Sequence, residues 1–335
     1  MNYISEKKYN SLKSGKVKIG DVLFCLRGSL GKNAVIDFEN DAAIASSLVI
    51  IRPNQSLIKS EYISIYFNSL LFKNKLMKLN NGSSQPNLSA ASIKSIEISV
   101  PDMKKQNEII NKLLVTKELI DKQMEELELL NELVRARFVE MFGDPVINDK
   151  KWPTVSVENL CDEIYGGGTP SKAHEEYYEN GDIPWVSSKD MKTDVVTDSQ
   201  IKINQLGIEN STARLVPVNS VIMVIRSGIL KHTLPVAINA VPITVNQDLK
   251  VFVPGNKITS RFLAAQFKMQ EKSILFGVRA VTADNIEFNS LKARRMIVPP
   301  LELQNQFASF VEEVDKSRLH EQLAVEYVKL LAKDL

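Results

Sequence analysis

Ile19-Gly20-Asp21-Val22-Leu23-Phe24-Cys25-Leu26-Arg27-Gly28-Ser29 and Val218-Asn219-Ser220-Val221-Ile222-Met223-Val224-Ile225-Arg226-Ser227-Gly228 are two versions of one pattern. In each, a short apolar run ends in Arg and a turn of small residues, and the two Arg positions are 199 residues apart. Two further blocks repeat in the same order. Leu48-Val49-Ile50-Ile51-Arg52-Pro53 matches Leu249-Lys250-Val251-Phe252-Val253-Pro254 at an offset of 201, and Val100-Pro101 with Gln106-Asn107 matches Val298-Pro299 with Gln304-Asn305 at an offset of 198. A period near 200 is far too long for a solenoid, so the pattern implies a duplicated domain with a connector.

Each copy ends in a segment of different rhythm. No Gly or Pro interrupts residues 103–142, and apolar residues recur every seven at Leu113, Ile120, Leu127, Val134 and Met141, interleaved with Ile109 and Leu130. That stripe predicts a coiled-coil seam. After Pro299-Pro300 a second seam is expected, with Val311, Val325 and Ala332 on one position and Phe307, Val314, Val328 and Leu335 on the other. Thr116 and Gln123 interrupt the first seam, Arg318 and Glu321 the second; polar seam residues weaken pairing but fix its register. Leu113, Ile120, Leu127, Leu130, Val134, Val311, Val314, Val325 and Val328 are the predicted rod-packing residues. Two unrelated surface helices would leave their equivalent placement after the same Val-Pro junction unexplained.

Between the rods the chain reads as strand-rich. Val22 to Leu26, Leu48 to Ile51, Val221 to Ile225 and Leu249 to Val253 are β-branched runs bounded by Gly, Pro, Asn or Ser, as buried strands are. Residues 61–78 and 260–276 have helical spacing of large apolar residues. The expected fold class is α+β, with two pseudo-repeated strand-rich domains separated by long coiled-coil helices. The expected divisions are 1–101, 102–143, 144–299 and 300–335.

Composition narrows the function classes. The 335 residues are 44% hydrophobic and 24% charged, with 42 basic and 40 acidic side chains, which excludes wholesale disorder and a polybasic tail protein. The net charge of +2 hides a division: segments 1–101 and 144–299 together carry +7, and the two predicted rods −5. A basic domain beside an acidic rod permits phosphate contact despite near neutrality. Two cysteines make neither a disulfide framework nor a four-cysteine zinc site, and no run of about 18 apolar residues exists, so a cytoplasmic protein is expected.

Catalytic constellations are weak. Gly166-Gly167-Gly168 is followed by Thr169-Pro170-Ser171 where a phosphate-binding loop needs Lys then Ser or Thr, so a structured turn is expected. No Asn-Pro-Pro-aromatic tetrapeptide of an amino-methyltransferase occurs. Asp102-Met103-Lys104 and Asp190-Met191-Lys192 have the acid-any-lysine spacing of some nuclease sites, but such triplets arise by chance at this charge content. His174, His232 and His320 stand singly, without metal-ligand spacing. Cys25 occupies the strand position of Val224 in the other copy.

Gly166-Gly167-Gly168-Thr169-Pro170-Ser171, then Tyr178 and Asn180-Gly181-Asp182-Ile183-Pro184-Trp185-Val186-Ser187-Ser188-Lys189-Asp190-Met191, then Val298-Pro299-Pro300-Leu301-Glu302-Leu303-Gln304, resemble the signatures of the specificity subunits of type I restriction-modification systems. The resemblance spans nearly the whole chain. It implies a non-catalytic reader of double-stranded DNA. In that family two recognition domains each read half of a split site in the major groove, and two antiparallel helices set the spacing and dock methyltransferase (M) subunits. It also implies that S-adenosylmethionine, ATP and Mg sit on M subunits and on separate motor-nuclease (R) subunits, with no cofactor, metal or catalytic residue on this chain. One departure stands out: Met1 aligns with Gln200, so the first copy has no counterpart to residues 144–199. A truncated reading frame, a fragment, or a subunit completed by a second chain or by self-association would each account for that. An impaired first domain is expected, and the alternative function is a silent or competing subunit that assembles without reading DNA.

The expected DNA contacts follow the repeated strands. Arg27, Ser29 and Lys32, and Arg226, Ser227, Lys231 and His232, put donors on tight turns, where Arg can grip guanine O6 and N7 and Lys suits phosphates. The other reading of each Arg is a strand cap paired to a carboxylate. Gln85, Asn87 and Asn285 lie on a second pair of loops whose amides could read adenine or simply serve a turn. Thr169, Ser171, Lys172, Ser187, Ser188 and Lys189 in the opening signature complete the set, with Trp185 expected in the core.

Overall fold

In a computed structural model that describes residues 3–79, 88–276, 278–280 and 284–333, the chain divides into two compact units. One comprises residues 1–124 with 323–335, the other residues 125–322.

The first unit opens with a short helix, α1 (Glu6–Ser11), and builds a three-stranded antiparallel sheet from β1 (Val22–Cys25), β2 (Asn33–Val35) and β3 (Leu48–Ile51), with β1 in the centre. Helices α2 (Ser60–Asn68) and α3 (Leu70–Leu79) press Ile63, Phe67 and Phe72 onto Val22 and Phe24. Phe24, Phe67 and Phe72 interlock with ring centroids 4.7–5.8 Å apart. The sequence predicts one helix across 61–78; the structure breaks it at Ser69. That residue turns extended, and its hydroxyl accepts from the Phe72 backbone N–H to restart the helix. A short α4 (Ala90–Lys94) leads to the long helix α5 (Met103–Phe142).

The second unit is larger. Its five-stranded sheet has the order β5 (Cys161–Gly166), β12 (Leu249–Pro254), β9 (Val221–Val224), β10 (Val236–Asn239), β7 (Val195–Val196). Every residue of β9 is buried, as expected for a strand covered on both faces. A three-stranded sheet of β6 (Ile183–Val186), β8 (Lys202–Ile203) and β11 (Thr244–Val245) abuts it, and β4 (Thr154–Ser156) pairs with β15 (Arg295–Ile297). A two-residue hairpin, β13 (Arg279–Ala280) and β14 (Asp284–Asn285), completes the strands. The short helices are α6 (Val157–Leu160), α7 (Gln205–Glu209) and α10 (Phe288–Ala293), and α8 (Ser260–Met269) and α9 (Glu271–Leu275) precede the long α11 (Leu301–Lys333). Here too the predicted single helix over 260–276 is broken, at Gln270. Its buried amide is held by Arg294, whose Nη1 donates to Oε1 at 3.0 Å.

The duplication is visible in hydrogen bonds. β1 pairs with β2 and β3 as β9 pairs with β10 and β12, all antiparallel. Leu88 N–H donates to Leu26 O at 3.1 Å, and Ile286 N–H to Ile225 O at 2.8 Å. At the start of each long helix stands a fully buried glutamine. Gln106 donates to Leu57 O and Pro101 O and accepts from Lys59 N–H; Gln304 donates to Lys257 O and Pro299 O and accepts from Thr259 N–H. The same side chain thus clips the same loop to the same helix in both copies.

The positions of the seven-residue stripe on α5 are more covered than their neighbours. Leu113, Thr116, Ile120, Gln123, Leu127, Leu130, Val134, Arg137 and Met141 are partly covered, whereas Val115, Leu119, Leu129 and Leu133 are exposed. In the second unit Phe138 meets Phe307 at 5.5 Å and Arg137 lies 5.7 Å from the Phe310 ring, so the parts of α5 and α11 within that unit run antiparallel. Val311 and Val314 are buried there, and Val325 is buried in the first unit. The side chains of Val328 and Ala332, and residue Leu335, lie outside the described residues. Phe138 and Phe142, which the seven-residue stripe does not include, tie α5 to Phe262 of α8 and Phe307 of α11.

Candidate nucleic-acid interface

One end of the five-stranded sheet gathers segments distant in sequence. Where β9 ends, Ile225 and Arg226 donate their N–H groups to Asp248 O, at 2.9 and 3.3 Å, which ties the strand to the loop before β12. The Arg226 Nε donates to Asp248 Oδ1 at 2.8 Å, and Asn246 Nδ2 to Asp248 Oδ2 at 3.1 Å. The carboxylate predicted for a strand cap is therefore there. Yet the Arg226 side chain remains 46% exposed, so Asp248 aims the guanidinium rather than burying it. Arg226 also forms a β-bridge with Asn285, an exposed residue of β14.

The glycines of the opening signature have a packing role. A Cβ on Gly167 would collide with the Val245 carbonyl, and one on Gly168 with the Thr212–Ala213 peptide. No substituted residue fits there, and the close approach lets the Thr169 hydroxyl donate to the Gln247 side chain. Trp185 is buried and donates from Nε1 to Gly168 O at 2.9 Å, and Tyr178 donates to Pro170 O at 2.7 Å. Ser171 and Lys172 stand exposed on the loop that follows.

β6 delivers the next group. Asn246 N–H donates to Val186 O at 2.9 Å, placing Ser187 beside the same loop. The Ser187 hydroxyl donates to Asp190 Oδ2 at 2.7 Å, closing its own turn; Ser188 and exposed Lys189 lie beyond it. Ser227 caps the one-turn helix Gly228–Lys231, with Lys231 and His232 exposed at its end. Ser188, Lys189 and Ser227 share the wall of a groove of about 880 Å³ whose far side is α5, α8 and α11.

Arg318, the residue that interrupts the α11 seam, finds its partners in that groove. It binds Asp315 at 2.9 Å and Asp194 at 3.2 Å; Lys268 also binds Asp194, and Arg261 lies 2.9 Å from Asp315. Burial alone would raise the Asp194 carboxyl, but the charges of Lys268 and Arg318 hold it below the usual carboxylate range.

In the first unit Arg27, Ser29 and Lys32 are exposed on the turn after β1, which Gly28 and Gly31 enter with φ of 76° and 86°. Cys25 N–H donates to Lys32 O at 2.8 Å and Gly31 N–H to Cys25 O at 3.1 Å. Gln85 and Asn87 lie outside the described residues. Cys161, half-covered on β5, is pushed up to about 12 by burial and by Asp162, which suits a packed thiol rather than a nucleophile. No group of three or more His, Cys, Asp or Glu able to hold a metal occurs among the described residues.

The gathered loops are thus polar, exposed and basic, at one end of a rigid sheet. Residues 2–131 and 149–326 match the model of the type I restriction modification DNA specificity domain. The chain belongs to the type I restriction-modification DNA specificity family. Among its relatives is the specificity subunit of an Escherichia coli type I restriction enzyme, 30% identical over 236 residues, which are 68% of this chain and 57% of that one. A Methanocaldococcus jannaschii specificity subunit is 23% identical over 92% of this chain and 74% of its own length. The chain spans less than two thirds of the first relative. The crystal structure of a type I restriction-modification S subunit from M. genitalium has the same fold, with a TM-score of 0.57 and 13% identity over 96% of this chain and 83% of that one.

Asp248, Asn246 and Gln247 are the members of this cluster that the sequence reading missed. They sit between the predicted loops, and their only signal was position, immediately before the repeated strand β12.

Proposed function

We propose that this chain is the DNA sequence-specificity component of a type I restriction-modification complex. On this reading residues 144–299 form a recognition domain that reads half of a bipartite duplex site with Arg226, Asn285, Thr169, Ser188, Lys189 and Ser227. Ser171, Lys172, Ser187, Lys231 and His232 line its margins. Residues 1–101 would offer Arg27, Ser29, Lys32, Gln85 and Asn87 to the other half. The observation that carries it is the convergence of five chain segments on the Arg226–Asp248 pair, with the guanidinium still exposed. Arginine in that setting has the fork geometry for a guanine edge.

The long helices, residues 102–143 and 300–335, would set the spacing and dock the M subunits. Val115 and Leu119 in the first unit, and Leu129 and Leu133 in the second, are exposed on α5 and offer apolar surface for that purpose. S-adenosylmethionine, ATP and Mg would belong to the M and R subunits. Family membership favours this role over a silent, assembly-only one. Among the described residues no helix is long and apolar enough to cross a membrane, and the cytoplasm is the proposed location.

The test is methylation by the chain reconstituted with its M subunit, mapped at single-molecule level across genomic DNA. Methylation at one defined bipartite motif is expected. Assembly of a complex that methylates nothing would leave the silent role.

A further inference from the structure

Beside Arg226 lies a group of cations that neither the sequence motifs nor the readout loops account for. Lys250 stands on β12, opposite Met223 of β9 and Gly166 of β5. Its ammonium passes over the backbone of Gly166, where a Cβ would come within 2.6 Å of Nζ. The Nζ sits 4.5 Å from the centroid of Phe288, at the start of α10. The Lys292 ammonium lies 5.4 Å from the same ring. One half-buried aromatic ring therefore holds two lysines, and among the described residues no ion pair engages either of them.

Arg226 has Asp248 as its partner, whereas the two lysines have, among the described residues, the ring alone. Burial, and then the neighbouring Arg226 charge, depress the Lys250 ammonium below its usual range, a cost that an arriving anion would relieve. A solvated lysine would simply turn away from Arg226. Here the ring face, the missing Cβ of Gly166 and the strand position hold it in place, and cation–π contacts of this kind contribute about 0.5–1 kcal/mol at exposed sites. An anion bound there would lie next to the arginine proposed to read a base, and contacts to backbone phosphates are what set a reader's register on the duplex.

We propose that Lys250 and Lys292, presented by Phe288 and Gly166, form a binding site for a backbone phosphate of the duplex, adjoining the bases read by Arg226. The site rests on the DNA-reading function proposed above. It positions the recognition domain on the duplex and carries no sequence information of its own.

Salt dependence of binding by the full chain tests it, using the preferred duplex and a scrambled duplex. For wild type, the logarithm of the association constant should fall steeply with the logarithm of salt concentration. Lys250→Gln and Lys292→Gln should each make that slope shallower by about 1 and weaken both duplexes alike. Lys250→Arg and Lys292→Arg should keep the wild-type slope. Lys292→Gln alone suffices should Lys250→Gln not fold, as judged by the tryptophan emission of Trp152 and Trp185. A steep wild-type slope that both glutamine variants retain would overturn the phosphate site and leave the reading of DNA intact. A loss confined to the preferred duplex with an unchanged slope would also overturn it. Failure of wild type to bind either duplex at low salt would defeat the DNA reading and the site together.

Discussion

The two copies share a centre and differ at their edges. In the second, β12-β9-β10 is extended by β5 on one side and β7 on the other, and β9 is wholly buried. In the first, β3-β1-β2 has no further strand on either side among the described residues, and every residue of β3 is only partly covered. The two added strands come from residues 144–199. The glutamine clip is nevertheless the same in both, so the junction between domain and long helix is kept where the sheet edge is not.

Three predictions press on that contrast. The largest concerns the buried rings. Phe138→Ala should destabilise the second unit by about 3–5 kcal/mol, because it empties the centre of the Phe142, Phe262 and Phe307 cluster. Both tryptophans, Trp152 and Trp185, lie in that unit, so urea unfolding followed by their fluorescence reports on it alone. Phe24→Ala should leave the tryptophan-detected transition in place while shifting the circular-dichroism transition of the first unit. Coincident shifts in both probes would show that the two copies unfold as one.

Next is the clip. Gln106→Leu and Gln304→Leu each leave one N–H and two carbonyls without their partner, a loss of about 1–3 kcal/mol. Equal effects on the two transitions would support an identical device. A loss at only one position would break the equivalence of the copies.

The smallest effect is expected at Asp21, whose side chain is 1% exposed. The hydrogen bond from Arg52 holds its carboxyl below the usual range, opposed by burial. A carboxyl depressed in the folded state adds stability above about pH 4, lost as pH falls through its lowered native value. Asp21→Asn should therefore destabilise the first unit at neutral pH, and its difference from wild type should shrink in acid. The second unit has Ser220 at this position and should show no such convergence. A pH-independent difference would remove the Asp21–Arg52 pair from the account.

Much of this fold was legible because it rests on periodicity. The repeat and the strand positions follow from apolar spacing, and Trp185 was expected in the core, but β3, expected to be buried, is only partly covered. What was not legible depends on contacts distant in sequence. Arg318 looked like a flaw in the α11 seam until Asp194, 124 residues earlier, was found beside it. The Gly167 and Gly168 positions required the Val245 and Thr212 backbones, which no local pattern announces. β7, two residues long, is too short to carry an alternation at all. Ser69 and Gln270 broke helices that hydrophobic spacing alone had joined, because caps and buried amides outweigh propensity there.

The central claim, that exposed Arg226 held by Asp248 reads a base edge, is tested most directly by selecting bound duplexes from a random library with the wild-type chain and with Arg226→Ala. The account predicts enrichment of a defined motif by wild type. Arg226→Ala should relax discrimination at one position of that motif by about 1–3 kcal/mol, with folding intact. An unchanged motif of unchanged strength would contradict it.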